Sequence, residues 1–303
     1  MSLLGEKLCL FCLALDFFKK CKNPTPTSKQ VYDETKKTRE DYAYSEQLWK
    51  DGQRILNLFK PAIDIRNKLI LDVGCGNGGK AVYYAKNAKY VFGCDIDKTC
   101  LERAENFSAK KGLTNKTKFV YGESTDLPFN SNKFDIIMMN DVMEHFANPL
   151  ATILESKRVL KKGGIICINF AAWLSPNGSH LNDWIHIPWC HVLFSEKTLI
   201  KVLKKLSLSE KYIEFQFPNI NNPNINKNPL PKKLECLGSG NLNRITLRQF
   251  KKILNKSGLK TVFFELKGIE SKRPLLKKLF QFLVKMPLLN EFFGGEIVIV
   301  LKK

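Results

Sequence analysis

Nothing near the N-terminus of this 303-residue chain is long enough to cross a bilayer. The uncharged apolar stretch Leu8 to Leu15 has eight residues, where a spanning helix needs roughly 20. Glu6 and Asp16 bracket it and no small-residue cleavage site follows, so a secretory leader is not expected either. The nine cysteines are scattered and odd in number. Only Cys9 and Cys12 stand three apart, on a helical pattern with no second pair. Neither a zinc site nor a disulfide framework is expected, and a reducing, cytoplasmic setting is the default. Acidic residues are scarce: 29 Asp and Glu face 49 Lys and Arg, for a net charge of +20. Histidine is scarcer still, with four in all. Hydrophobic residues are not lacking. At 44% hydrophobic and 26% charged, the chain has enough apolar material for a core and is not disordered by composition.

The excess charge is uneven. Residues 195–303 hold 22 basic against 8 acidic side chains. That points to an anionic partner, whether nucleic acid, an anionic membrane or a phosphorylated substrate, or simply to solvated lysines in a lysine-rich chain. Residues 1–20 carry Leu4, Leu8, Phe11, Leu15 and Phe18 on one helical face. A polar, proline-containing linker follows to residue 37, and a helix is expected from about Glu40 to Phe59.

From residue 68 the pattern changes to alternation. Buried strands are expected at Lys68–Gly74, Tyr90–Asp95, Lys118–Gly122, Phe134–Asn140 and Ile165–Phe170. Helices are expected at Lys80–Lys86, Thr99–Lys111 and Asn148–Lys161, the last ended by Gly163 and Gly164. This order, with continuous apolar strands, predicts a parallel sheet covered on both faces. Beyond it the spacing predicts helices at Glu196–Leu206 and Thr246–Ser257 and strands at Thr261–Leu266 and Glu296–Leu301. Residues 217–243 read as a loop or insertion, and 272–293 as a basic amphipathic stretch interrupted by Pro287. The expected division is an N-terminal helix and linker (1–37), a cofactor-binding core (38–172), an inserted cap (173–245) and a C-terminal completion of the sheet (246–303) that holds a basic insertion at 269–294.

The first strand runs into Leu71-Asp72-Val73-Gly74-Cys75-Gly76-Asn77-Gly78-Gly79. Glycines there permit a sharp turn and close approach of a ligand to the backbone, so a cofactor site is expected at that strand's carboxyl end. Gly74, Gly76 and Gly79 also fit a dinucleotide fingerprint, which by itself is weak. A nucleoside-triphosphate loop is nearly present, but Ala81 stands where a magnesium-holding Ser or Thr is required. Asp72 and Asp95 each have a plain alternative role, as a loop cap and as the N-cap of the following helix.

Five elements in order resemble the class I S-adenosylmethionine-dependent methyltransferases, in their small-molecule branch. They are Asp72 with Gly74, Gly76 and Gly78; Asp95 in Gly93-Cys94-Asp95-Ile96; Gly122-Glu123-Ser124 followed by Asp126-Leu127-Pro128-Phe129; Phe134-Asp135 with Asn140 to His145; and Arg158-Val159-Leu160-Lys161-Lys162-Gly163-Gly164. The resemblance covers residues 68–172 and implies a Rossmann-like α/β fold, a seven-stranded, mostly parallel sheet with helices on both faces and an inserted cap. It also implies S-adenosyl-L-methionine as the cofactor and no metal. On that reading Asp95 accepts from the ribose hydroxyls and Ile96 covers the adenine. Glu123 or the Ser124 backbone meets the adenine amine. Asp72, with the backbone at Gly74 and Gly76 and with Asn140, holds the methionine end. An NAD-dependent oxidoreductase would use Asp95 in the same way.

Methyl transfer to a hydroxyl or carbon also needs a proton removed, and a base contributes roughly 10²–10⁴-fold to such a step. His145 follows the fourth strand; His186 and His191 lie in a tryptophan-rich segment after the fifth. All three are candidate bases, and each has packing as its alternative. Acceptor choice is expected in 173–245, 269–294 and the N-terminal helix. The expected acceptor is an oxygen of a small molecule, a glycan or a lipid-linked intermediate, with peripheral contact to an anionic membrane. RNA is the second reading, weakened by the absence of an Asn-Pro-Pro-Tyr-like sequence after strand four, which reads Asn140-Asp141-Val142-Met143. A basic binding module that keeps the fold without catalysis is the third.

Overall fold

The computed structural model describes residues 7, 37–60, 62–176, 178, 179, 185, 187–206, 242–269, 274–287 and 289–303. The expected N-terminal helix, apart from Lys7, and the 217–243 insertion, apart from residues 242 and 243, lie outside the described residues, as does His186. The chain divides into two compact units, residues 1–40 with 173–244 and residues 41–172 with 245–303.

The second unit is a seven-stranded sheet of order β3-β2-β1-β4-β5-β7-β6. Its strands are β1 (Leu69–Val73), β2 (Tyr90–Asp95), β3 (Thr117–Tyr121), β4 (Phe134–Asn140), β5 (Leu160–Phe170), β6 (Lys260–Gly268) and β7 (Gly294–Lys302). The first five pair in parallel, while β7 runs antiparallel to both β5 and β6. Its helices are α1 (Lys37–Leu58), which begins in the first unit's share of the chain, α2 (Gly79–Tyr84), α3 (Lys98–Lys110), α4 (Pro149–Val159), α7 (Leu247–Ser257), α8 (Pro274–Leu283) and α9 (Asn290–Phe293). The first unit contributes α5 (Cys190–Leu193) and α6 (Glu196–Leu206). Among the described residues no helix is long and apolar enough to cross a membrane.

Strand periodicity explains why both faces are buried. Leu71, Val73, Ile137, Met139, Ile166 and Ile168 point into one core, closed by α4 and α7. Their neighbours Ile70, Ile136, Met138 and Cys167 point into the other, closed by α1, α2 and α3. Side chains set the starts of α3, α4 and α7. The Asp97 carboxylate caps α3, accepting from Thr99 N and Cys100 N at 2.8 and 3.2 Å. The cap of that helix is therefore Asp97, and Asp95 is left for other partners. Thr246 and Gln249 form a reciprocal capping box on α7, and Gly258 closes it in the left-handed conformation. Thr246→Ala is expected to cost about 1 kcal/mol, read as a lower denaturant midpoint at unchanged slope.

Boundaries shift by a residue or two from the sequence reading, and one shift has a clear physical cause. The helix expected to run to Lys161 ends at Val159, and Leu160 already belongs to β5. Leu160 pairs with Phe134, the register shifts, and Ile165 pairs with Ile136. Gly163 and Gly164 thus sit inside a bulged strand and do not terminate a helix. A Cβ on Gly164 would lie 2.9 Å from Asp135 O, so only glycine fits that approach.

Candidate functional site

The carboxyl ends of β1, β2 and β4 open on one edge of the sheet, and the residues singled out from the sequence lie along it. After β1 the chain turns through Gly74, Gly76 and Gly78, all at positive φ. Gly74 N and Cys75 N both donate to Cys94 O, which ties the turn to β2. The three glycines are not equivalent. A Cβ on Gly78 would meet Ala104 Cβ at 2.6 Å and one on Gly74 would meet Val142 at 2.8 Å, but one on Gly76 meets nothing within 4 Å. The first two serve close packing, while Gly76 faces open space.

Asp95 ends β2. Its Oδ2 accepts from Gly76 N at 2.8 Å and its Oδ1 from Asp97 N at 3.0 Å. Each carboxylate oxygen keeps a further lone pair, enough to accept from a vicinal diol. Ile96 beside it is 65% exposed, a large apolar side chain at the rim. Gly122 N donates to Asp95 O, which brings the turn after β3 alongside. There Glu123 is exposed, its backbone bridged to Asp126, while the Ser124 hydroxyl is 2.9 Å from Thr152 Oγ1 on α4. That engages the Ser124 side chain and leaves its backbone as the group to consider.

Asp72 lies on the face covered by α1–α3, in line with Ile70, and is buried. Burial pushes its carboxyl up to about 7, and the repulsion from Asp95 adds to that; Lys80 and a hydrogen bond from Asn140 pull the other way. Asn140 is buried as well. Its Nδ2 donates to the Tyr84 hydroxyl at 3.1 Å, and its Oδ1 has no partner among the described residues. Asn77, in the glycine turn, has a buried Oδ1 in the same condition. Unpaired buried acceptors are costly. The buried Asp72 carboxyl beside Asn140, with the open Gly76 in the adjoining turn and the exposed Ile96 at the rim, fits an adenosyl ligand that carries a cationic, donor-rich amino-acid end.

The row continues onto residues that sequence reasoning passed over. Asn140 pairs in register with Asn169 of β5, and Asn169 with Val298 of β7. Asn169 is fully buried. Its Nδ2 donates to Asp141 Oδ1 at 3.2 Å and to Glu296 Oε1 at 2.9 Å, and its Oδ1 has no partner among the described residues. Lys80 Nζ donates to the other Asp141 oxygen at 2.8 Å, so this lysine serves the β4 end and is no phosphate-loop lysine. Asp141 sits at φ 56, a left-handed position held from three sides. Burial raises the Glu296 carboxyl above its ordinary value, and Asp141 adds to the effect; Asn169, Lys267 and Arg54 oppose it. A sequence signal existed. Asn169 interrupts the apolar run Ile165–Phe170, and Glu296 stands at the head of the apolar run Ile297–Leu301.

The two described candidate histidines have different settings, each within its own unit. His145 is exposed on the short turn Met143–His145 after β4. His191 belongs to the first unit, where its Nε2 lies 2.6 Å from Trp173 O and its ring packs edge-on against Trp173. A carbonyl only accepts, so Nε2 carries the proton and the buried Nδ1, without a partner among the described residues, is the basic nitrogen. Burial lowers its pKa and so favours the neutral ring. Among the described residues no group of three or more His, Cys, Asp and Glu could hold a metal ion.

Comparison with known proteins bears on the family and the fold. Residues 71–168 match the family described as methyltransferase domain. A sterol 24-C-methyltransferase of Gibberella zeae is 38% identical over 97 residues, which is 32% of this chain and 26% of that protein. A protein of Oryza sativa subsp. japonica named probable tocopherol O-methyltransferase, chloroplastic, is 28% identical over 160 residues, 47% of this chain and 42% of that one. The matched stretches thus span less than half of these relatives' lengths. Among solved structures, an S-adenosylmethionine dependent methyltransferase from Mesorhizobium loti aligns over 82% of this chain and 96% of its own, with TM-score 0.50 and 12% identity, a likeness of fold. With its glycine turn, its two carboxylates and its seven-stranded sheet, the chain carries a methyltransferase domain of the class I, S-adenosylmethionine-dependent family.

Proposed function

We propose that the whole chain is an S-adenosylmethionine-dependent methyltransferase that transfers its methyl group to an oxygen of a small molecule, a glycan or a lipid-linked intermediate. The observation that carries this reading is the buried carboxyl of Asp72 beside Asn140, whose amide oxygen has no partner among the described residues. A cation with N–H donors satisfies both. In this reading Asp95 takes the ribose hydroxyls, Ile96 the adenine face, and Glu123 or the Ser124 backbone the adenine amine. Asp72, Asn140 and the backbone at Gly74 and Gly76 hold the methionine end, and Gly78 shapes the turn beneath it. When bound, the cofactor supplies an electrophilic methyl group on sulfur whose transfer leaves a neutral thioether.

The protein's own part is alignment and proton handling. Asp141, Asn169 and Glu296 continue the polar row on the side of the sheet away from Asp95. A hydroxyl placed there can donate to Glu296, whose carboxyl pKa is held above its ordinary value by burial, so that it takes up a proton more readily than a free carboxylate. Glu296→Gln keeps the size and the hydrogen bond with Asn169 but cannot take the proton. We expect kcat to fall by about 10²–10⁴-fold with little change in cofactor affinity. His145 is the alternative base, and the same loss in His145→Gln with none in Glu296→Gln would reverse the assignment.

The relative named as a sterol 24-C-methyltransferase favours a second reading, in which the acceptor is a carbon of a lipid. Incubation with methyl-labelled cofactor and fractionated cell extract separates these. Label in lipid or small-molecule fractions as an ether or ester supports the oxygen reading, and label as a carbon-bound methyl supports the other. Label confined to RNA contradicts both.

A further inference from the structure

We propose that α8 and the turn after it form a docking surface for an anionic lipid bilayer. The helix is amphipathic in an unusual sense, because the apolar stripe faces outward. Leu275, Leu279 and Phe282 are spaced four and three apart, so they share one face of the helix, and Met286 follows in the turn; they are 83%, 46%, 62% and 39% exposed. The opposite side packs on β6: the space beside Gly268 is filled by Phe280 O and Val284 Cγ1. Phe280 also stacks on Phe293 of α9. The fold therefore buries one apolar face of this segment and leaves a second one in solvent.

Charge identifies the occupant. Lys278 and Lys285 are exposed beside the stripe, and Lys277 is half-buried. Residues 271–290 contain Lys272, Arg273, Lys277, Lys278 and Lys285 and no acidic residue. A second copy of this chain would bring five like charges against five. A nucleic acid would satisfy the lysines but leave the four apolar side chains in water. A bilayer with anionic headgroups supplies phosphates to the lysines and hydrocarbon to the stripe. At ten residues α8 is too short to span and lies in the plane of the interface.

The inference does not depend on the methyltransferase reading and is tested without cofactor. The full chain is sedimented with vesicles of phosphatidylcholine alone and with added phosphatidylglycerol. Expected is binding to the anionic vesicles that weakens with salt and is much weaker on neutral ones. Phe282→Ser and the pair Lys278→Glu with Lys285→Glu are each expected to lower it by about tenfold. These side chains are on the surface, and an unchanged melting temperature confirms that the variants fold. Binding unaffected by either variant, equal binding to neutral vesicles, or no binding overturns the proposal. So does a concentration-dependent dimer that Phe282→Ser abolishes, because the stripe would then belong to a second copy.

Discussion

Asp95→Ala is expected to lower affinity for S-adenosylmethionine about a thousandfold, because two hydrogen bonds to a charged acceptor are worth about 1.5–3 kcal/mol each. The fold should survive. Among the described residues the Asp95 carboxylate accepts from Gly76 N, part-buried, and from Asp97 N, exposed, and the cap of α3 is Asp97. Gly76→Val gives the complementary test. A Cβ there meets no protein atom within 4 Å, so the side chain intrudes only on the space a ligand would fill. Its positive φ adds backbone strain of about 1–2 kcal/mol. Gly78→Val, in contrast, collides with Ala104 and is expected to unfold the domain. Calorimetric titration of the first two variants, with circular dichroism as control, decides the matter. Wild-type affinity in Asp95→Ala, or a nicotinamide nucleotide binding where S-adenosylmethionine does not, would falsify the assignment.

The second large effect is on pH dependence. Burial raises the Asp72 carboxyl from 3.8 to about 7. Between those values the folded protein holds a proton that the unfolded chain has released, so the ligand-free protein loses stability as pH rises from about 4 to about 7. The span from 3.8 to about 7 corresponds to on the order of 4 kcal/mol. Asp72→Asn removes this slope and makes the ligand-free protein more stable at neutral pH. A cationic ligand beside Asp72 favours the carboxylate, so binding below neutrality releases a proton. Cofactor affinity then rises by about tenfold per pH unit up to the carboxyl's own value and levels off above it. Calorimetry in two buffers of different ionisation enthalpy counts the proton directly. A wild-type affinity that does not change with pH would remove Asp72 from the cationic end of the site.

The parallel half of the sheet was legible in the sequence because its signals are local. Apolar runs bounded by glycine and polar residues mark the strands, and helical periods follow the first, second and fourth, so β1 to β4 and the carboxyl half of β5 stand where the pattern placed them. The Gly163-Gly164 pair misled for a physical reason. Glycine after a helix reads as a terminator, but here the chain needed a tight approach to Asp135 O inside a bulged strand. Half of the candidate site was readable in the same local way, from Asp72 through Asp95. Asn169 and Glu296 were not, because they lie 127 positions apart in the chain and become neighbours only through the antiparallel register of β5 and β7. The expectation for His191 rested on proximity in sequence to the end of β5, and its described partner is Trp173 in the first unit.

The placement of β7 bears on how the molecule assembles. It follows β6 in the chain yet lies between β6 and β5. During synthesis β6 emerges with no strand to join, and the open side of β5 stays bare until β7 slots in. That interval is when the nascent polypeptide offers a raw strand edge to other chains. Ribosome-associated chaperones should find their main work on this protein in that late window, not while the glycine turn and its parallel strands are forming.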